Sequence, residues 1–154
     1  FQILENTYPN YFGRNYHLNR IIESKAVIYL ATLESNLIGV SYVKRNLRRG
    51  STAVLKKYQR NGIAENLVKN SLKDFPNQYT IVSTNLPHSH KMISLVEKLG
   101  FVNAKTTEEI EKLIGKEFDL LKNFKKRNER LIFDRISTKR LIERKELTLM
   151  YKPR

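Results

Sequence analysis

Thr52-Ala53-Val54-Leu55-Lys56-Lys57-Tyr58-Gln59-Arg60-Asn61-Gly62-Ile63-Ala64 joins two kinds of hydrophobic periodicity. Its first four residues read as a short apolar strand. Beyond the glycine, Ile63, Leu67, Val68 and Leu72 recur at the spacing of an amphipathic helix. A strand that ends in a glycine-containing turn and opens a helix presents unbonded backbone N–H groups at a helix N-terminus. That is an anion site, suited to a pyrophosphate. Lys56, Lys57 and Arg60 flank it.

Farther along, the chain reads Ser89-His90-Lys91-Met92-Ile93-Ser94-Leu95-Val96-Glu97-Lys98-Leu99-Gly100-Phe101. Tyr79-Thr80-Ile81-Val82 before it reads as a buried strand, and Thr84-Asn85-Leu86-Pro87 as the loop between them. The Gln-x-x-Gly-x-Ala turn at 59–64 resembles the coenzyme A pyrophosphate loop of the GNAT acyltransferases, whose pattern is Arg/Gln-x-x-Gly-x-Gly/Ala. The Glu-Lys-Leu-Gly-Phe ending resembles the helix that commonly follows in that family. The resemblance spans roughly residues 28–104, and the order of the motifs is more specific than either motif alone.

The resemblance implies an α/β (α+β) fold: a mostly antiparallel mixed central sheet flanked by helices. It implies acyl transfer from acetyl-CoA or another acyl-CoA to an amine. Val54, Leu55, Gln59, Arg60, Asn61, Gly62, Ile63, Ala64 and Ser89 become the expected cofactor contacts, with the N–H of Val54 or Leu55 polarising the thioester carbonyl. Two departures stand out. The family's frequent tyrosine, which protonates the leaving thiolate, falls on Val96, and its frequent asparagine at the helix start falls on Ser89. The remaining polar groups nearest the site in sequence are Tyr58, His88, Ser89 and His90. His88 or His90 suits a base because imidazole titrates near neutral pH.

A length of 154 residues supports one domain with a substantial core. No apolar run is long enough for a membrane span. The chain opens on Phe1, and its first twenty residues lack an apolar signal core. The expectation is a cytoplasmic monomer or homodimer. The absence of cysteine excludes disulfides, thiolate zinc sites and cysteine nucleophiles. His17, His88 and His90 are too few and too poorly spaced for a metal site, so none is expected.

Charge is the second signal. Lysine and arginine number 29 against 15 acids, a net charge of +14. Residues 35–64 contain no acid but hold Lys44, Arg45, Arg48, Arg49, Lys56, Lys57 and Arg60. Arg48-Arg49-Gly50 reads as an exposed turn between strands. A second cluster, Lys122, Lys125, Lys126, Arg127 and Arg130, falls near a helix end. Such a surface attracts polyanions and repels polyamines. Nucleic-acid contacts are therefore expected at Lys44, Arg45, Arg48, Arg49, Lys56, Lys57, Lys125 and Lys126, with tRNA or DNA, or an acidic protein, as acceptor. Tyr8, Tyr11 and Tyr16, interleaved with Arg14, His17 and Arg20, could add stacking and phosphate contacts. The alternatives are a GNAT-like fold that binds nucleic acid without transfer chemistry, and a nucleic-acid-modifying enzyme with another donor. A solvated lysine-rich surface without such a partner also fits the charge.

The other segments complete the plan. Leu18, Ile21 and Ile22 support a two-turn helix. Strands are expected at 27–32, 37–43, 51–55 and 79–84, and helices at 62–74 and 89–98. After Phe101, Thr106-Thr107-Glu108-Glu109 is a capping-box pattern. Ile110, Leu113, Ile114, Phe118, Leu121 and Phe124 then mark one helical face. This stretch, about residues 105–145, reads as a basic helical insertion before a last strand at 146–151. Leu131-Ile132-Phe133 suggests a short strand within it, and 137–145 stays open between helix and loop.

Overall fold

A computed structural model describes residues 3–4, 16–84, 89–119, 142, 145 and 147–153. The chain divides into two compact units, Phe1–Gln78 and Tyr79–Arg154.

In the first unit, helix α1 (Tyr16–Glu23) precedes an antiparallel meander of β1 (Val27–Leu33), β2 (Asn36–Val43) and β3 (Arg49–Val54), in the order β1-β2-β3. A two-residue hairpin joins β1 to β2. Leu33 pairs with Asn36, and Glu34 and Ser35 both take positive φ, as the twist of a tight hairpin requires. The β2–β3 turn differs from the expected one. It lies at Arg45–Leu47, where the Asn46 side chain accepts the Arg48 N–H at 3.1 Å and Lys44 and Arg48 close the turn at 2.9 Å. Arg49 and Gly50 therefore stand in β3.

One face of this sheet carries Val40, Tyr42 and Ala53, packed with Ile3, Leu4 and Ile21. The alternation of strand side chains assigns Ser41 and Thr52 to the other face. Helix α2 (Ile63–Asp74) packs against the sheet, with Ile63 and Leu67 against Gly39 and with Leu67 and Val68 buried. Each such aliphatic side chain contributes about 1.5–3 kcal/mol on burial. Tyr29 of β1 donates to Asp74 at 2.7 Å; burial, then this bond, pushes its hydroxyl up to about 12.

In the second unit the sheet order is β4-β6-β5, all antiparallel, from β4 (Tyr79–Ser83), β5 (Val102–Asn103) and β6 (Leu147–Tyr151). Helix α3 (Ser89–Lys98) packs on β4. It ends where the sequence carries Gly-Phe. Gly100 has φ +89°, its N–H reaches the Glu97 carbonyl, and the Phe101 N–H reaches the Val96 carbonyl, both at 2.9 Å. Two carbonyls left by the helix end are thereby satisfied, and Phe101 turns into the core.

Helix α4 (Thr107–Asp119) follows β5 and precedes β6, as the expected helical insertion. Its cap is reciprocal. The Glu109 N–H donates to Thr106 Oγ1 and the Thr106 N–H to Glu109 Oε2, each at 3.1 Å. Ile110 is buried. Leu121, Phe124, the proposed strand 131–133, the ambiguous stretch 137–141 and the Lys122–Arg130 cluster lie outside the described residues.

Candidate coenzyme site

The connection from β3 to α2 is built from its own polar side chains. A 3-10 turn at Lys56–Tyr58 follows β3. Gln59 Nε2 reaches back to the Val54 carbonyl at 3.0 Å, tying the loop to the strand end. Asn61 Nδ2 donates to the carbonyls of Tyr58 at 3.1 Å and Gln59 at 3.4 Å. Arg60 and Gly62 both have positive φ, +66° and +75°.

Gly62 is the N-cap of α2 and supplies no side-chain acceptor. The Asn66 N–H donates to its carbonyl at 3.0 Å, so the Ile63 and Ala64 amides belong to the turn that a helix leaves unbonded. A Cβ at Gly62 would meet nothing within 4 Å. The nearest acid in sequence, Glu65, pairs with Lys69 at 2.8 Å. Lys56, Lys57 and Arg60 are exposed beside the loop. Open space, uncapped amides and three cations fit a pyrophosphate.

The end of β3 separates the two expected thioester donors. The Leu55 N–H is bonded to the Ile38 carbonyl at 2.9 Å. Leu55 is therefore not available, which corrects that expectation. In an antiparallel ladder, backbone groups of successive residues point to opposite edges. The register Gly39↔Val54 thus directs the Val54 N–H to the open edge of β3.

In the second unit, Ser89 opens α3 and is buried, whereas the adjacent His90 is exposed. His88 lies outside the described residues. Val96 is 0 % exposed and belongs to the core, so an apolar buried side chain stands where the family often has the tyrosine acid. Among the described residues no three histidines, aspartates or glutamates gather as for a metal.

The expected nucleic-acid residues separate by burial. Arg45, Lys56 and Lys57 are exposed and Arg48 is half-buried. Lys44 is 6 % exposed and Arg49 only 4 %, so neither is a surface cation, correcting both expectations. The hydrophilicity of Arg49 misled because its partners are distant in sequence. Its guanidinium donates to Ser71 Oγ at 2.8 Å, Gln78 Oε1 at 2.8 Å, Ser41 Oγ at 2.7 Å and Thr52 Oγ1 at 2.9 Å. Burial lowers it to about 10. The available signal was Ser41 and Thr52, two hydroxyls interrupting otherwise apolar strands. Lys125 and Lys126 lie outside the described residues, as do Tyr8, Tyr11 and Arg14.

The mixed α/β build matches known acetyltransferases in fold. An aminoglycoside 6'-N-acetyltransferase complexed with coenzyme A is 14% identical with TM-score 0.54, covering 68% of this chain and 77% of that one. An acetyl-CoA-bound GNAT acetyltransferase from Elizabethkingia anophelis is 18% identical with TM-score 0.55, covering 68% and 69%. The PaiA N-acetyltransferase of Thermoplasma acidophilum, in complex with coenzyme A, is 19% identical with TM-score 0.50, covering 68% and 79%. No curated protein matches the sequence significantly. The family model of the acetyltransferase (GNAT) domain matches residues 6–114. The chain belongs to that family of acetyltransferases.

Proposed function

We propose that this protein transfers an acetyl group from acetyl-CoA to an amine on a polyanionic acceptor, with tRNA or DNA preferred over an acidic protein. The acid-free interval 35–64 carries this reading: its exposed Lys56, Lys57 and Arg60 stand in the loop that leads to the uncapped amides of α2, and its exposed Arg45 lies in the turn at the other end of β3. The coenzyme phosphates need only a few cations; the others remain for the acceptor.

In the proposed reaction the amides of Gly62, Ile63 and Ala64 hold the pyrophosphate and the Val54 N–H holds the thioester oxygen as it becomes an oxyanion. The acceptor amine attacks the carbonyl carbon and the carbon–sulfur bond breaks. The coenzyme leaves as a thiolate, which near an ordinary thiol pKa of about 8.5 departs without an acid. His88 or His90 takes the amine proton, and Ser89 contacts the coenzyme arm.

The test is thiol release from acetyl-CoA with and without tRNA and duplex DNA, beside binding titrations at several salt concentrations. Binding should weaken steeply with salt, and Arg45→Glu should lower both affinity and slope. Weak, length-independent binding unchanged by the reversal would shift the acceptor to a protein or small amine. Burial of Val96 where the family often has its acid favours a second reading, a nucleic-acid-binding member without transfer. Coenzyme and nucleic-acid binding with no thiol release would select it.

A further inference from the structure

Among the described residues Arg49 is enclosed without a carboxylate, which is uncommon for a guanidinium. Its four bonds end on neutral oxygens, from β2, β3, α2 and the residue before β4. Two of the acceptors, Ser41 and Thr52, are cross-strand partners whose hydroxyls also bond each other at 2.8 Å. The β2–β3 register shifts between Ser41 and Val43. On one side Val43 pairs with Arg49; on the other Ser41 pairs with Thr52, Val40 with Ala53 and Gly39 with Val54.

The position of that irregularity has a chemical consequence. A slip by one residue would exchange the edges to which Val54 and Leu55 present their amides. Beyond the irregularity it would also turn the Thr52 hydroxyl to the face opposite Ser41, away from the guanidinium. The native register is therefore the one in which Arg49 keeps all four bonds, Leu55 donates to Ile38, and Val54 faces the open edge.

We infer that Arg49 is a positioning residue for acetyl transfer: its buried guanidinium holds the β2–β3 register that points the Val54 amide at the thioester. This rests on the reading of Val54 as the oxyanion donor. Gln59 and Asn61 brace the phosphate loop with their own side-chain bonds, so coenzyme capture is largely independent of Arg49.

The experiment compares wild type with Arg49→Met, a charge-free chain of similar length. Thr52→Val is the second variant, should the first not fold. NMR-detected hydrogen exchange reads the Leu55 amide. Thiol release from acetyl-CoA is followed with tRNA as acceptor. In a folded variant, Leu55 protection should fall about tenfold relative to the rest of β1–β3. The kcat should fall at least about tenfold, with KM for acetyl-CoA within about threefold. Unchanged Leu55 protection and kcat would overturn the inference. So would a uniform loss of protection with kcat and KM moving together, because that marks a general structural role. If wild type binds no coenzyme and releases no thiol, the transfer reading fails, while Leu55 protection still decides the register.

Discussion

Gly62→Glu places a carboxylate at the α2 N-terminus, in space where a Cβ meets nothing within 4 Å. The cost to folding is confined to the backbone. At φ +75° a side chain costs about 1–2 kcal/mol. An acidic group at a helix N-terminus restores roughly 0.3–1 kcal/mol. The variant should therefore fold, with stability reduced by about 1 kcal/mol. Binding responds differently. At about 5 Å in a water-like dielectric, two phosphate charges would each repel the carboxylate by roughly 0.8 kcal/mol. Together this is a loss of about tenfold or more in coenzyme A affinity, and more where water is excluded. Gly62→Ala carries the same backbone cost without the charge, so its affinity should stay within about threefold of wild type. Calorimetric titration with coenzyme A, paired with denaturant unfolding, separates the two effects. A folded Gly62→Glu protein with unchanged affinity would refute the phosphate-loop assignment.

Val96→Tyr should not restore an acid. It overpacks a fully buried site, so urea unfolding should show a loss of about 1–3 kcal/mol and thiol release should not rise. Gly50→Ala drives a methyl into the Tyr42 ring and should cost about 1–3 kcal/mol in the same assay, unless the ring moves. Glu109 is held below its usual carboxylate value of 4.5 by the Lys105 and Thr106 amides and then the Tyr151 hydroxyl. Its stabilisation is full above that value and lost as pH falls through the lower native one. The melting-temperature gap between wild type and Glu109→Gln should thus be widest near neutrality and close in acid.

Local chemistry made much of this molecule legible. The Gln-x-x-Gly-x-Ala turn, the Thr106–Glu109 cap and the Gly100-Phe101 helix end are each governed by residues within a few positions. What failed was non-local. Arg49 looked like a surface cation because Ser71 and Gln78, which enclose it, come 22 and 29 residues later. The β2–β3 turn shifted because the Asn46 side chain closes a turn earlier than Arg48-Arg49-Gly50 suggested. The choice between Val54 and Leu55 depended on pairing register, which the sequence of one strand does not contain. The position of Val96 in α3 was legible, but its complete burial was not.

The proposed reaction requires the coenzyme to sit on the β3–α2 loop, and backbone amides report such a contact residue by residue. The direct measurement is an NMR titration of the ¹⁵N-labelled protein with coenzyme A. The largest amide shifts should fall on Gly62, Ile63 and Ala64, with Val54 joining when acetyl-CoA is used and Leu55 staying bonded to Ile38. Binding that leaves Gly62, Ile63 and Ala64 unshifted, or no binding at all, would contradict the assignment.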